Sequence, residues 1–156
     1  MAAYTYDALL SFCGRDTLEF TGNLHKALSD RGIRTFIDDD DLPEGQEIKS
    51  ALLKAIRDSR TAIVVLSHNY VSSSSCLDQL ETIVHCCTEG MLPYVLPVFY
   101  NVDPSEVRHG KALTKLQKSF KDKKKLQKWM MALRGVARFA GFIIEVGYTT
   151  LPIFFT

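Results

Sequence analysis

The sequence predicts an α/β fold, a three-layer sandwich in which helices cover both faces of a parallel sheet. Short runs rich in β-branched and apolar residues alternate with longer stretches whose apolar residues recur at helical spacing. Glycines, serines and prolines separate these runs at intervals that suit βαβ units.

Residues 6–11 are apolar on both sides after Asp7, as in a buried parallel strand. A helix over residues 21–31 follows, with Phe20 just before it and Leu24, Ala27 and Leu28 within it on one helical stripe, and Gly32 is a stop signal. A second strand, 34–37, runs into four aspartates, Asp38, Asp39, Asp40 and Asp41. Leu42, Pro43, Glu44 and Gly45 follow as a turn, with φ fixed at Pro43 and positive φ open to Gly45. Like charges repel, so this turn is expected at the surface, exposed and mobile. It sits on the end of a strand, where α/β folds bind their ligands.

A helix is expected from Glu47, with Ile48, Leu52, Ala55 and Ile56 on its apolar face. Residues 61–66 are the most β-prone run and read as the centre of the sheet. The four serines 72–75 break the chain and supply a helix cap; Ser75 with Asp78 resembles a capping box for a helix over 76–88, which Gly90 stops. A fourth strand spans 94–100, although Pro97 argues on its own for an edge-like stretch or a bulge. Residues 101–105 read as a turn and 110–120 as helical. Leu126, Trp129, Met130, Leu133 and Ala137 mark the last helix, and 142–146 a fifth strand or extended segment. Right-handed crossovers then give a five-stranded, flavodoxin-like sheet in the order 2-1-3-4-5. Residues 1–150 form one domain, and 151–156 a tail or the start of a linker.

With 156 residues, 46% of them hydrophobic, the chain has enough length for one full core. A net charge of +1 gives no bulk electrostatic case for nucleic acid or membrane. The basic run Lys121-Asp122-Lys123-Lys124-Lys125 reads as a solvated link between helices. Cys13, Cys76, Cys86 and Cys87 form no CxxC pair, so reduced thiols are expected and no metal site. There is no signal-peptide pattern and no apolar run of membrane-spanning length, so a cytoplasmic or nucleo-cytoplasmic place is expected.

Common sites of this fold can be tested by motif. Only Gly14 follows the first strand, which argues against a P-loop or dinucleotide fingerprint. Ser67-His68 stands where a phospho-accepting receiver needs an aspartate. Cys76 or Cys86 with His85 could form a nucleophile pair, but cysteines on an apolar helix face belong to the core.

Four blocks, in order, resemble plant-type TIR (Toll/interleukin-1 receptor/resistance protein) domains. The first runs from Tyr6-Asp7-Ala8-Leu9-Leu10-Ser11 through Phe12-Cys13-Gly14-Arg15-Asp16-Thr17. The second spans 32–36 and 42–48, and the third is Cys76-Leu77-Asp78-Gln79-Leu80. The fourth, Leu96-Pro97-Val98-Phe99-Tyr100 through Asn101-Val102-Asp103-Pro104-Ser105-Glu106-Val107-Arg108, is the most distinctive, and in it the proline is normal.

The resemblance implies an intracellular immune or stress signalling module of plants that associates with other TIR domains. It also implies NAD⁺ hydrolysis at the nicotinamide–ribose bond, with NAD⁺ as substrate or ligand and no required cofactor. As nicotinamide leaves, positive charge builds on the ribose, and a carboxylate beside the sugar stabilises it. In the family that group is a helical glutamate, usually preceded four residues earlier by a tryptophan. Here those positions hold Gln79 and Ser75, and the family's usual arginine in the first block is Cys13. Phe12, Gly14 and Asp16 match the expected pocket. An amide can hydrogen-bond a hydroxyl but carries no charge and cannot act as a base. Glu81 is no substitute, because on a helix it projects about 160° away from Gln79.

The expectation is therefore association between TIR domains with catalysis lost or very weak. Two alternatives stand beside it: an active glycohydrolase using an acid among Asp38–Asp41, and an adaptor or decoy that binds a nucleotide without cleaving it. Interface positions expected from the resemblance are Gly22, Asn23 and Lys26 on the first helix and Arg138 and Gly141 near the end of the last. A glycine at 22 weakens its helix by about 1 kcal/mol relative to alanine.

Overall fold

A computed structural model describes residues 4–37, 50–111, 113–114, 121–145 and 153–155. In chain order the elements are β1 (Tyr6–Ser11), α1 (Gly14–Asp30), β2 (Thr35–Ile37), α2 (Ser50–Arg57), β3 (Ser59–Leu66) and α3 (His68–Val71). They continue with α4 (Ser74–Thr88), β4 (Tyr94–Tyr100), α5 (Pro104–Arg108), α6 (Lys123–Val136), β5 (Gly141–Ile144) and β6 (Ile153–Phe155). Strands β1 to β5 are parallel in the order 2-1-3-4-5, as expected. Beyond them β6 pairs antiparallel with β5, Ile153 opposite Ile143, within the segment expected to be a tail or linker. The expected turn at Asp41, Leu42, Pro43, Glu44 and Gly45, with Asp38 to Asp40, lies outside the described residues. So does most of the expected helix over 110–120.

β3 is hydrogen-bonded on both edges, to β1 and β4, and five consecutive residues from Ala62 to Leu66 are buried. Its side chains alternate between two cores. Ala62, Val64 and Leu66 join Leu52, Ala55 and Ile56 of α2, Leu77, Leu80 and Ile83 of α4, and Trp129 and Leu133 of α6. Ile63 and Val65 join Ala8, Leu10 and Val98, with Phe20, Leu24 and Leu28 of α1 packed on them. Thus α1 covers one face of the sheet, while α2, α4 and α6 cover the other.

Helix α1 begins seven residues before the expected start. Gly14 through Thr17 offer no apolar periodicity, but Thr17 and Thr21 donate their hydroxyls to the Cys13 and Thr17 carbonyls. Asp16 in the first turn suits the positive end of the helix dipole. The cap of α4 is Ser73, whose Oγ accepts from the Cys76 N–H at 3.3 Å, and not Ser75. Asp78 is free of capping duty. Its Oδ1 accepts from Trp129 Nε1 at 2.9 Å and its Oδ2 faces Lys125 Nζ at 3.3 Å, which ties α4 to α6.

The short helices α3 and α5 were not expected, because four or five residues cannot display a period. Caps make them: Ser67 for α3, and for α5 Asp103, which accepts from the Ser105 N–H at 2.8 Å ahead of Pro104.

Pro97 lies inside β4 opposite Val64 of β3, but β5 pairs only with Val98, Phe99 and Tyr100. The missing N–H is therefore kept out of that second ladder, and no bulge is needed. Gly141 opens β5 against this point, where an added Cβ would collide with the Pro97 carbonyl. Gly141→Ala should lower stability by about 1–3 kcal/mol through overpacking against backbone. A urea unfolding midpoint equal to that of the unmodified protein would show that β4 and β5 yield freely here.

Candidate functional site

The C-terminal ends of β1 and β3 meet the first turns of α1, α3 and α4, and the polar residues there form two hydrogen-bonded groups. The deeper begins at Tyr70 on α3, fully buried, with its hydroxyl 2.8 Å from Ser11 Oγ at the end of β1. Ser11 Oγ donates onward to Gln79 Oε1 on α4 at 3.1 Å. A serine has one hydroxyl proton, so Tyr70 donates to Ser11 and Ser11 to Gln79. Burial pushes the Tyr70 phenol well above its ordinary pKa, which keeps the donor protonated.

The outer group centres on Asp16. Its Oδ1 accepts from Ser67 Oγ at 3.1 Å and its Oδ2 from the Asn69 N–H at 3.2 Å. Ser67 Oγ in turn accepts from the Tyr70 N–H at 3.2 Å. The carboxylate thus anchors α3 to α1, and both its oxygens are already engaged.

The other expected pocket residues divide between the faces of the sheet. Phe12 packs toward the α1 side, whereas Cys13 packs toward the α4 side, beside Cys76. Cys13 caps α1 with extended backbone, φ −104° and ψ 125°. The Cys76 thiol is held far from ionisation, first by a hydrogen bond with the Cys13 thiol and then by burial. Gly14 opens α1. Ser75 is buried within the first turn of α4, 5% exposed.

Chemically the deeper group is neutral. Gln79 offers an amide that can meet a hydroxyl, while the Asp16 carboxylate lies in the outer group and anchors α3. Among the described residues no group of three potential metal ligands occurs, and no helix is long and apolar enough to cross a membrane. A separate cavity of about 410 Å³ opens between α3, α5 and α6, lined by His68, Glu106, Lys111 and Leu133 among others; it contains neither Gln79 nor Asp16.

The sequence supplied Gln79, Cys13, Asp16 and Ser75, and the fold gathers all four near the same strand ends. It did not reveal Tyr70, Ser67 or the role of Ser11. The available signal was Ser67 three residues before Tyr70, which is N-cap spacing.

The expected interface positions do not form one surface. Gly22, Asn23 and Lys26 are exposed on α1, with open space around Gly22. Arg138 is exposed just past α6, which lies on the opposite face of the sheet. Gly141 is corrected: it is buried at the start of β5 against Pro97, a packing position and not a contact surface.

The TIR domain profile matches residues 5–150. Disease resistance protein RUN1 of Vitis rotundifolia is 43% identical over 96% of the chain, and TMV resistance protein N of Nicotiana glutinosa 42% identical over 88%. The chain spans 12% and 13% of the lengths of those two proteins. Among solved structures, the TIR domains of the activated Roq1 resistosome, which directly recognizes the pathogen effector XopQ, superpose with a TM-score of 0.79. They share 41% identity, covering 93% of this chain and 90% of that one.

Tyr70→Phe should lower stability by about 0.5–1.5 kcal/mol, the net value of one buried hydrogen bond. In a double-mutant cycle it should couple to Gln79→Ala, because Ser11 links the two. Strict additivity of the two changes in chemical denaturation would sever that chain.

Proposed function

This chain belongs to the TIR domain family, and on that premise we propose that it acts in plant disease resistance signalling by associating with other TIR domains, its NAD⁺-hydrolysing site degenerate. The observation that carries the reading is Gln79, whose amide is held by Ser11 where the resemblance places a carboxylate. Cleavage of the nicotinamide–ribose bond leaves positive charge on the sugar, and a neutral amide gives that charge no counterpart. Asp16 belongs to the outer group, on a different helix from Gln79, where both its oxygens anchor α3. The similarity to resistance proteins supports the signalling role, and no cofactor is needed for it.

Loss of a positioned charged group costs on the order of 10²–10⁴ in rate, so nicotinamide release should be slower than in an intact family member by about that factor. Gln79→Glu alone should recover little. Added to Ser75→Trp and Cys13→Arg it should recover more than the single changes combined, because groups that act as a unit are not additive. The test is nicotinamide release at high protein concentration. A rate matching an intact homologue, unchanged by Gln79→Ala, overturns the reading and moves the chemistry to Asp38–Asp41.

For association, the exposed side of α1 is the better candidate surface. Leu18 is 64% exposed, one turn before Gly22, with Asn23 and Lys26 alongside. An exposed leucine beside a glycine offers an apolar contact and close approach, which suits a small transient interface. Leu18→Arg or Gly22→Arg should weaken self-association about tenfold or more, followed by light scattering against concentration. Light scattering that stays monomeric up to millimolar protein, alone and with partner TIR domains, removes this surface.

A further inference from the structure

Ser11 and Gln79 touch, and that contact fixes what lies one step further out. Two residues beyond Ser11 along extended backbone, about 6.6 Å, comes Cys13 on the same side of the chain. One helical turn back from Gln79, about 4.5 Å toward the start of α4, comes Cys76 on the same helix face. The helix runs against the strand, so both steps lead the same way and bring the two thiols together. Both cysteines lie in one packed cluster, Cys76 at 7% exposure and Cys13 half-buried.

We propose that Cys13 and Cys76 are a redox-sensitive pair, oxidised by a peroxide to a disulfide that staples the β1–α1 junction to the first turn of α4. The two members divide the work. Cys13 sits just ahead of the 17-residue α1 and is the more accessible of the two. Cys76 keeps its proton longer, held by the Cys13 thiol and by burial. This is the arrangement of a sensor beside its resolving partner. The Cys13 sulfur attacks one peroxide oxygen, the O–O bond breaks, and a sulfenic acid forms, the thiol proton leaving with the other oxygen as water. Cys76 sulfur then attacks the sulfenic sulfur while its thiol proton passes to the departing hydroxyl, the S–S bond closes, and a second water leaves. Two thiols give two electrons to one peroxide, and two waters result.

The remaining cysteines are not placed for an unstrained bond between themselves. Cys86 and Cys87 are adjacent, with Cα atoms about 3.8 Å apart, below the roughly 4.4–6.8 Å that an unstrained disulfide spans. Cys13 stands where the resemblance places an arginine, so the pair belongs to this chain's own departures. The proposal does not depend on whether NAD⁺ is cleaved.

The test is exposure of the reduced whole chain to hydrogen peroxide, followed by thiol counting and peptide mapping without reductant. Two of the four thiols should vanish, with the mass lower by two hydrogens and the peptides of Cys13 and Cys76 joined within one chain. Dithiothreitol should restore all four. Cys13→Ser, at a half-buried position that tolerates a hydroxyl, should abolish the link, and Cys87→Ser should leave it intact. Four surviving thiols, a link involving Cys86 or Cys87, a link only between chains, or Cys13 oxidised to sulfinic acid without joining Cys76 would each overturn the proposal.

Discussion

The structure depends on β3 being enclosed on every side. It is paired along both edges and buried on both faces, so each face needs its own helical cover. Parallel neighbours cannot be joined by tight turns, which obliges the chain to cross over after every strand. The first crossover moves toward β2 and the later ones move back, so right-handedness places α1 on one face and α2, α4 and α6 on the other.

That asymmetry makes the site. Crossovers return the chain so that β1 and β3 both end beside the first turns of helices. Ser11 and Asp16, Ser67, Asn69 and Tyr70, and Gln79 come from three separate stretches of the sequence and meet there through hydrogen bonds of 2.8 to 3.2 Å. Most of the bonding capacity is turned inward. Asp16 and Ser67 hold a four-residue helix that could not persist alone, and that helix presents Tyr70 to Ser11. A group of residues tied together this way is held by the fold and not by any one side chain.

The same separation of faces bears on association. α1 presents an exposed leucine and glycine to solvent, while α6 is committed to α4 through Trp129, Asp78 and Lys125. A surface drawing on both helices would have to reach around the sheet.

The sequence by itself determined the parallel sheet, its strand order and the main helices, since these follow from periodicity and from the handedness of crossovers. It also places a glutamine, Gln79, on the helix over 76–88 expected from the sequence, which is a matter of identity. Only the tertiary structure decided what those residues do. Ser75 looked like a cap, yet Ser73 is the cap, because Asp78 bonds Trp129 of a helix 51 residues on. Gly141 looked like surface, yet it is buried, because the Pro97 carbonyl occupies the space a side chain would need. Residues 14–17 gave no helical pattern, since their support comes from hydroxyls bonding back to carbonyls and from Asp16 reaching α3. Local patterns record which face of an element is apolar. They do not record which polar partner the rest of the chain will bring to it.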